Sequence, residues 1–138
     1  IYNFLSGKLS RKFEGHKGEV KALDLSSDGM QLVSGSTDQT AKIWSYAKGN
    51  IVHDLKDHDW RVLDVEFSKD GNYVVTGSNS GKARLWDANS GEQLRVFAPK
   101  GRDYVRAVAI TNDNKYVITA SLVRGNNDAG VLIWETGL

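Results

Sequence analysis

Three polar side chains near the start of the chain, His16, Ser34 and Asp38, are the residue types that a hydrolytic triad uses. A serine nucleophile also needs an exposed cleft, an oxyanion hole and a strained strand-to-helix turn. Nothing around Ser34-Gly35-Ser36 signals such a turn. Buried polar groups usually just satisfy one another, so these residues are assigned a structural role and no catalytic residue is expected. His16 and His58 could ligate a metal, but neither has a second ligand two or four positions on, and no metal is expected. Ser34-Gly35-Ser36 and Thr76-Gly77-Ser78 are not phosphate loops, because no helix follows to supply an anion site. Close packing between strands accounts for those glycines. No cofactor is called for.

The elements that position these residues come from a repeat. Ser34-Gly35-Ser36-Thr37-Asp38-Gln39-Thr40-Ala41-Lys42-Ile43-Trp44 reads as strand, turn and strand. It returns as Thr76-Gly77-Ser78-Asn79-Ser80-Gly81-Lys82-Ala83-Arg84-Leu85-Trp86, and again, stretched, from Thr119-Ala120-Ser121 to Asp128–Trp134. Trp44 and Trp86 are 42 residues apart and Trp86 and Trp134 are 48 apart, with the surplus placed near Lys100-Gly101 and in the loop from Leu122 to Asn127. Periods of this length mark repeat architectures. Each period holds four short strands, a to d. The first has a near Glu19–Leu25, b near Met30–Ser36, c near Thr40–Tyr46 and d near Ile51–Leu55, with His53 on the outer strand as a surface residue. The second has a near Arg61–Phe67, b near Asn72–Ser78, c near Lys82–Asp87 and d near Glu92–Phe97. The third has a near Tyr104–Ile110, b near Lys115–Ser121 and c near Ala129–Glu135. Strand a joins b through Ser27-Asp28-Gly29, Lys69-Asp70-Gly71 and Asn112-Asp113-Asn114, which are hairpin turns. Residues Lys8–Phe13 read as a further strand d after a stub of strand c at Ile1–Asn3. The order is therefore d-abcd-abcd-abc. Strands a and b are apolar on both faces (Val62, Leu63, Val65 and Phe67, for example), as strands covered on both sides are. Small four-stranded sheets stacked face to face give that pattern.

Composition limits the partners. The chain has 138 residues, no cysteine and a formal net charge of +1 with its acids and bases interspersed. That leaves no electrostatic footprint for nucleic acid or acidic lipid, no disulfide or thiolate site, and no apolar run long enough to span a membrane. The start has neither the basic region nor the long apolar region of a signal peptide. The missing initiator Met suggests a piece of a longer chain. The expected location is intracellular and cytoplasmic.

The sequence resembles the WD-repeat (WD40) β-propeller family. The marks are Gly15-His16, Ser34, Asp38 and Trp44-Ser45; Asp57-His58, Thr76 and Trp86-Asp87; and Thr119, Asp128 and Trp134-Glu135. The resemblance covers nearly the whole chain and implies an all-β fold: a propeller segment of about three four-stranded antiparallel blades. On this reading residues 1–138 form one partial propeller domain, with strands c and d of a preceding blade at 1–13 and blades at about 19–55, 61–97 and 104–138. In the family, His, Ser or Thr, Asp and Trp form a buried hydrogen-bonded network. That role maps to His16, Ser34, Asp38 and Trp44, then to His58, Thr76 and Trp86, then to Thr119, Asp128 and Trp134. Only the first set is complete, because Ser80 stands where Asp38 does and Gly101 stands where the third His belongs.

The resemblance also implies an interaction scaffold. Its loop face would carry contacts at Glu19, Lys21 and Thr37; at Arg61, Leu63 and Asn79; and at Tyr104, Arg106 and Asn127. Trp60 lies outside the repeated pattern, where the first blade has Gly18, and an aromatic on a loop is a candidate anchor for a partner. Packing against its own loop is the competing reading. Lys100, Arg102, Arg106 and Arg124 read as a solvated loop. Two roles follow: binding a protein or peptide through the d–a and b–c loops, or completing a larger ring. Three blades leave an apolar face open at each end, so closure needs further blades or a second copy of the chain.

Overall fold

The computed structural model describes residues 7–98, 104–122 and 129–138. Its elements are β1 (Val20–Leu25), β2 (Gln31–Ser36), β3 (Ala41–Ser45), β4 (Ile51–Leu55), β5 (Val62–Phe67), β6 (Tyr73–Ser78), β7 (Ala83–Asp87), β8 (Gln93–Phe97), β9 (Tyr104–Ile110), β10 (Tyr116–Leu122) and β11 (Ala129–Glu135). They pair as antiparallel meanders: β1-β2-β3-β4, β5-β6-β7-β8 and β9-β10-β11. The structure is all-β, and each expected a, b and c strand, and d in the first two repeats, is present to within one residue of its expected ends.

The exception is Lys8–Phe13, expected as a strand. It carries one bridge residue, Leu9, and no ladder among the described residues. A fourth strand is an edge strand held by a single neighbour, and the expected neighbour, residues 1–3, lies outside the described residues. The segment instead lays the Phe13 ring edge-on against Trp44, with centroids 5.7 Å apart. Gly101, Asn127 and Asp128 also lie outside the described residues.

The hairpins form because their corner residues accept a left-handed backbone. Gly29 and Gly71 have φ near +70°, and Asn114 takes the same place in the third sheet at φ 60°, a conformation that asparagine tolerates better than most side chains. Aspartate closes each corner. Asp28 accepts from the Ser26 hydroxyl and the Met30 amide, Asp70 from Ser68 and Asn72, and Asp113 from Thr111 and Lys115.

Between sheets the core is apolar, mainly aliphatic with a few aromatic rings. Val33, Ala41, Ile43 and Leu55 meet Val62, Val65, Phe67 and Val74 at the first junction. Val75, Ala83, Leu85 and Phe97 meet Val105, Val108, Ile110 and Val117 at the second. Each such side chain contributes about 1.5–3 kcal/mol on burial, so the two junctions supply most of the drive for stacking. Gly35 and Gly77 sit at the closest approach. A Cβ on Gly35 would lie 2.7 Å from Val62 Cγ1, and one on Gly77 would lie 2.9 Å from Val108 Cγ1.

The inner strands β1, β5 and β9 lie side by side and are bonded across the gaps. The Phe67 amide donates to Asp24 Oδ2 and the Val108 amide to Asp64 Oδ2, each at 2.8 Å. The outer faces are uncovered. Val20, Leu23 and Leu25 of β1 are exposed on one side, and Val131 and Ile133 of β11 on the other. The same positions are buried in the middle sheet because both of its faces are stacked.

Candidate functional site

The first repeat closes a four-member network. Trp44 is only 2% exposed, and its Nε1–H donates to Ser34 Oγ at 2.8 Å. Ser34 Oγ lies 2.7 Å from His16 Nε2, and His16 Nδ1 lies 2.8 Å from Asp38 Oδ2. A carboxylate only accepts, so Nδ1 carries the proton, and in the neutral ring Nε2 accepts from the Ser34 hydroxyl. The proton order runs one way, from Trp44 through Ser34 and His16 to Asp38. Asp38 also accepts from the Lys17 amide at 2.8 Å, the Thr40 amide at 3.0 Å and the Thr40 hydroxyl at 2.7 Å. Burial works against its charge, but these bonds together hold its carboxyl well below the usual range. The network thus ties the loop before β1, strand β2, the β2–β3 turn and strand β3 together. Ser34 Oγ is occupied by Trp44 and His16 and is buried, so the serine is not presented as a nucleophile.

The second repeat is built alike but stops short. Trp86 Nε1 donates to Thr76 Oγ1 at 3.0 Å, and His58 Nε2 lies 2.8 Å from the same hydroxyl. Ser80 replaces the aspartate, and the buried His58 Nδ1 is left with no side-chain acceptor and only a poorly aligned Leu55 carbonyl. Burial first, then the charge of Arg84, push the His58 pKa down to about 4, against the Leu55 carbonyl and Asp59. Among the described residues the third repeat shows one such link, Trp134 Nε1 to Thr119 Oγ1 at 3.1 Å, and Trp134 is partly buried.

Above these networks lie the loop residues. In the first repeat, Glu19 and Thr37 are paired twice through the backbone, with the Glu19 amide on Thr37 Oγ1 and the Thr37 amide on the Glu19 carbonyl, each at 2.9 Å. Lys21 Nζ reaches Glu19 Oε1 at 3.0 Å. In the second repeat, the Asn79 amide donates to the Arg61 carbonyl at 3.1 Å, and Ser78 Oγ donates to the Trp60 carbonyl at 3.3 Å. The Trp60 backbone is therefore anchored while its side chain is 60% exposed. Arg61 is exposed and Leu63 partly buried. In the third repeat, the Arg106 guanidinium stands 5.8 Å from the Tyr104 ring centroid. His53, expected as a surface residue, is partly buried, and its Nε2 lies 2.8 Å from the Asn89 carbonyl of the neighbouring sheet.

Sequence reasoning did not single out Asp24 and Asp64. Each shares its inner strand with another charged residue, Lys21 or Glu66, and the two occupy different offsets within the repeat. Burial raises the Asp64 and Glu66 pKa values above the carboxylate range. The Val108 and Val65 amides oppose this at Asp64, and the Ile110 amide opposes it at Glu66; the charge of Asp24 adds to the rise at both. Lys42 was also missed. It is buried, and its Nζ pairs with Asp54 Oδ1 at 2.7 Å.

Stacked antiparallel sheets of one repeated plan, each carrying a Trp–hydroxyl link beneath paired loops, define a blade-repeat protein. The chain belongs to the WD40 family (WD domain, G-beta repeat), which matches residues 7–45 and 49–87. It is similar to the guanine nucleotide-binding protein subunit beta of Saccharomyces cerevisiae, with 42% identity over 45 residues, 33% of this chain and 11% of that protein. It is likewise similar to apoptotic protease-activating factor 1 of Rattus norvegicus, with 41% identity over 46 residues, 33% of this chain and 4% of that protein. It also resembles THO complex subunit 3 of Arabidopsis thaliana, with 50% identity over 36 residues, 26% of this chain and 11% of that protein. The matched stretch thus spans a small fraction of each relative's length. Among the described residues no helix is long and apolar enough to cross a membrane.

Proposed function

We propose that this chain is a propeller segment of an intracellular, cytoplasmic protein-binding module, and that its partner, a protein or peptide, docks on the face made by the loops before strands a and between strands b and c. Membership of a family of interaction scaffolds supports the binding role. The observation that carries the choice of face is Trp60, an exposed aromatic whose carbonyl is held by Ser78, with the exposed Arg61, whose carbonyl takes the Asn79 amide, beside it. An anchored aromatic loses little entropy on binding, and Trp and Arg dominate contact energetics. Glu19, Lys21, Thr37, Leu63, Asn79, Tyr104, Arg106 and Asn127 complete the proposed contact set. His16, Ser34, Asp38 and Trp44, with their counterparts in the later repeats, hold that face rigid.

A second reading is favoured by the exposed apolar faces at Val20, Leu23 and Leu25 and at Val131 and Ile133. Here the segment completes a larger ring, with further blades of a longer chain or a second copy. The two roles separate by alanine substitution at Trp60, Arg61, Tyr104 and Arg106. Quantitative affinity capture should lose the same set of proteins with each variant while the unfolding curve stays in place. Capture unchanged by all four substitutions would remove the loop face as the binding site. Light scattering tests the second reading directly, since a monodisperse dimer supports closure by a second copy.

A further inference from the structure

The carboxylate that completes the first network has no counterpart in the second, where the histidine remains, Lys82 stands at the place of Thr40 and Arg84 at that of Lys42. Around Asp38 one carboxylate takes up His16 Nδ1, two backbone amides and the Thr40 hydroxyl. In the second repeat Ser80 Oγ and Arg84 Nη1 are buried without a hydrogen-bond partner, as is Asn79 Oδ1, and the buried His58 Nδ1 has only a poorly aligned contact with the Leu55 carbonyl. His58 is 5% exposed and Arg84 4%. Three of these four atoms can donate. All belong to one corner: His58 precedes β5, Asn79 and Ser80 form the β6–β7 turn, and Arg84 stands on β7 opposite Thr76, the residue that His58 already holds.

The charge of the corner matches the donors. Asp59 Oδ2 takes Lys82 Nζ at 2.7 Å and Arg84 Nη2 at 3.5 Å, and Gln93 Oε1 takes Arg84 Nε at 2.9 Å. One acid therefore stands against two bases, with Arg84 Nη1 left over. Serine for aspartate also removes side-chain volume at the position where His16 finds its acceptor. Leaving a buried donor without an acceptor is costly, so an acceptor that meets several of them at once is strongly favoured.

We propose that this corner is a carboxylate-binding site, in which the side-chain carboxylate of an Asp or Glu on the protein partner takes the place that Asp38 fills in the first repeat, bonded by His58 Nδ1, Ser80 Oγ and Arg84 Nη1. The site deepens the loop-face reading and rests on it for the source of the carboxylate. Ser80 and Asn79 are only partly buried as residues and lie on that face, within the loop set that carries Trp60 and Arg61.

Formate is the probe, titrated at pH 7 and matched ionic strength against sodium chloride, with nitrogen NMR of the three histidines as readout. Formate should shift His58 Nδ1 saturably and leave His16, whose acceptor is Asp38, unmoved. A short peptide containing Asp or Glu should compete for the same shift. Ser80→Asp should abolish the response by tethering a carboxylate in the site, and should raise the melting temperature. Arg84→Gln should weaken formate binding roughly tenfold, as expected for loss of a hydrogen bond to a charged group, and covers the case in which Ser80→Asp does not fold. A His58 signal that does not saturate, or one equally responsive in Ser80→Asp or in Arg84→Gln, would overturn the proposal. A saturable formate shift together with an alanine scan that leaves capture unchanged would keep the carboxylate site and discard the partner face. The reverse pattern would discard the site alone.

Discussion

Acidification should destabilise this chain through His58. Burial and Arg84 hold the folded pKa at about 4, whereas the ordinary value is 6.5. Between those two values the unfolded chain binds the proton and the folded chain excludes it, so stability falls as pH falls. The contribution is complete above pH 6.5 and gone by pH 4. At 1.36 kcal/mol per unit the gap corresponds to about 3 kcal/mol, a large share of the ~5–15 kcal/mol that holds a typical domain together. The assay is urea unfolding at several pH values from 7.5 to 4.5, in the parent chain and in His58→Gln, which retains a hydrogen-bonding group near Thr76 and does not titrate. Other groups move in the same experiment. Asp64 and Glu66 have raised folded pKa values, so their charged forms cost stability at high pH and that cost is relieved as pH falls through those values. Asp38 and Asp70 have depressed values and contribute stability that is lost only at more acidic pH. The difference between parent and variant cancels these shared terms. Between pH 6.5 and 4.5 the parent should lose about 2–3 kcal/mol more than the variant. Parallel curves would refute the reasoning, because they would mean that the folded ring takes up its proton as readily as the unfolded one.

Three further outcomes follow from the geometry. Ser34→Ala strands both the Trp44 indole and the His16 ring and should cost about 3 kcal/mol in urea unfolding, while Thr119→Ala strands only the half-buried Trp134 and should cost about 1. Gln39 has φ 71° where the second repeat has Gly81 at 78°, so Gln39→Gly should stabilise by about 0.5–1 kcal/mol, read as a higher melting temperature. Gly35→Ala drives a methyl against Val62 and Val65 and should destabilise by about 1–3 kcal/mol, with Ser27→Ala on the exposed hairpin as the neutral control.

The strands were legible because their signals are local and repeated. Tryptophan closes each third strand, and an aspartate with Gly or Asn closes each first hairpin, so three imperfect copies corrected one another. Lys8–Phe13 shows the limit of that logic. Its residues match an edge strand, and Leu9 alone carries a bridge, while its expected neighbour lies outside the described residues. The meeting of His16, Ser34, Asp38 and Trp44 was accessible through family resemblance alone, since the members come from separate loops and strands. The bonds from Asp24 and Asp64 to the next sheet were not legible. They depend on how far one sheet is rotated against the next, and that rotation is a property of packed volumes, not of any one strand. The poorly satisfied Nδ1 of His58 lies between these cases: the Ser80 substitution was visible in sequence, but the burial that makes it costly was not.

The close approach at Gly35 and Gly77 limits what can come next. At both internal junctions a glycine on the second strand faces an alanine on the third, Gly35 with Ala41 and Gly77 with Ala83. The third sheet pairs Ala120 with Val131 at that position. Ala120 and Val131 thus put methyl groups where the other two sheets have Gly and Ala, beside a cavity lined also by Ser121, Leu122 and Gly130. A second copy would bring Val20 and Leu23 to this spot, where the first junction brings Val62 and Val65 against Gly35. A successor with alanine or serine at those places would seat at the spacing of the first two junctions. The side-chain size at this spot thus sets how closely a neighbouring blade, from a longer chain or from a second copy, can approach.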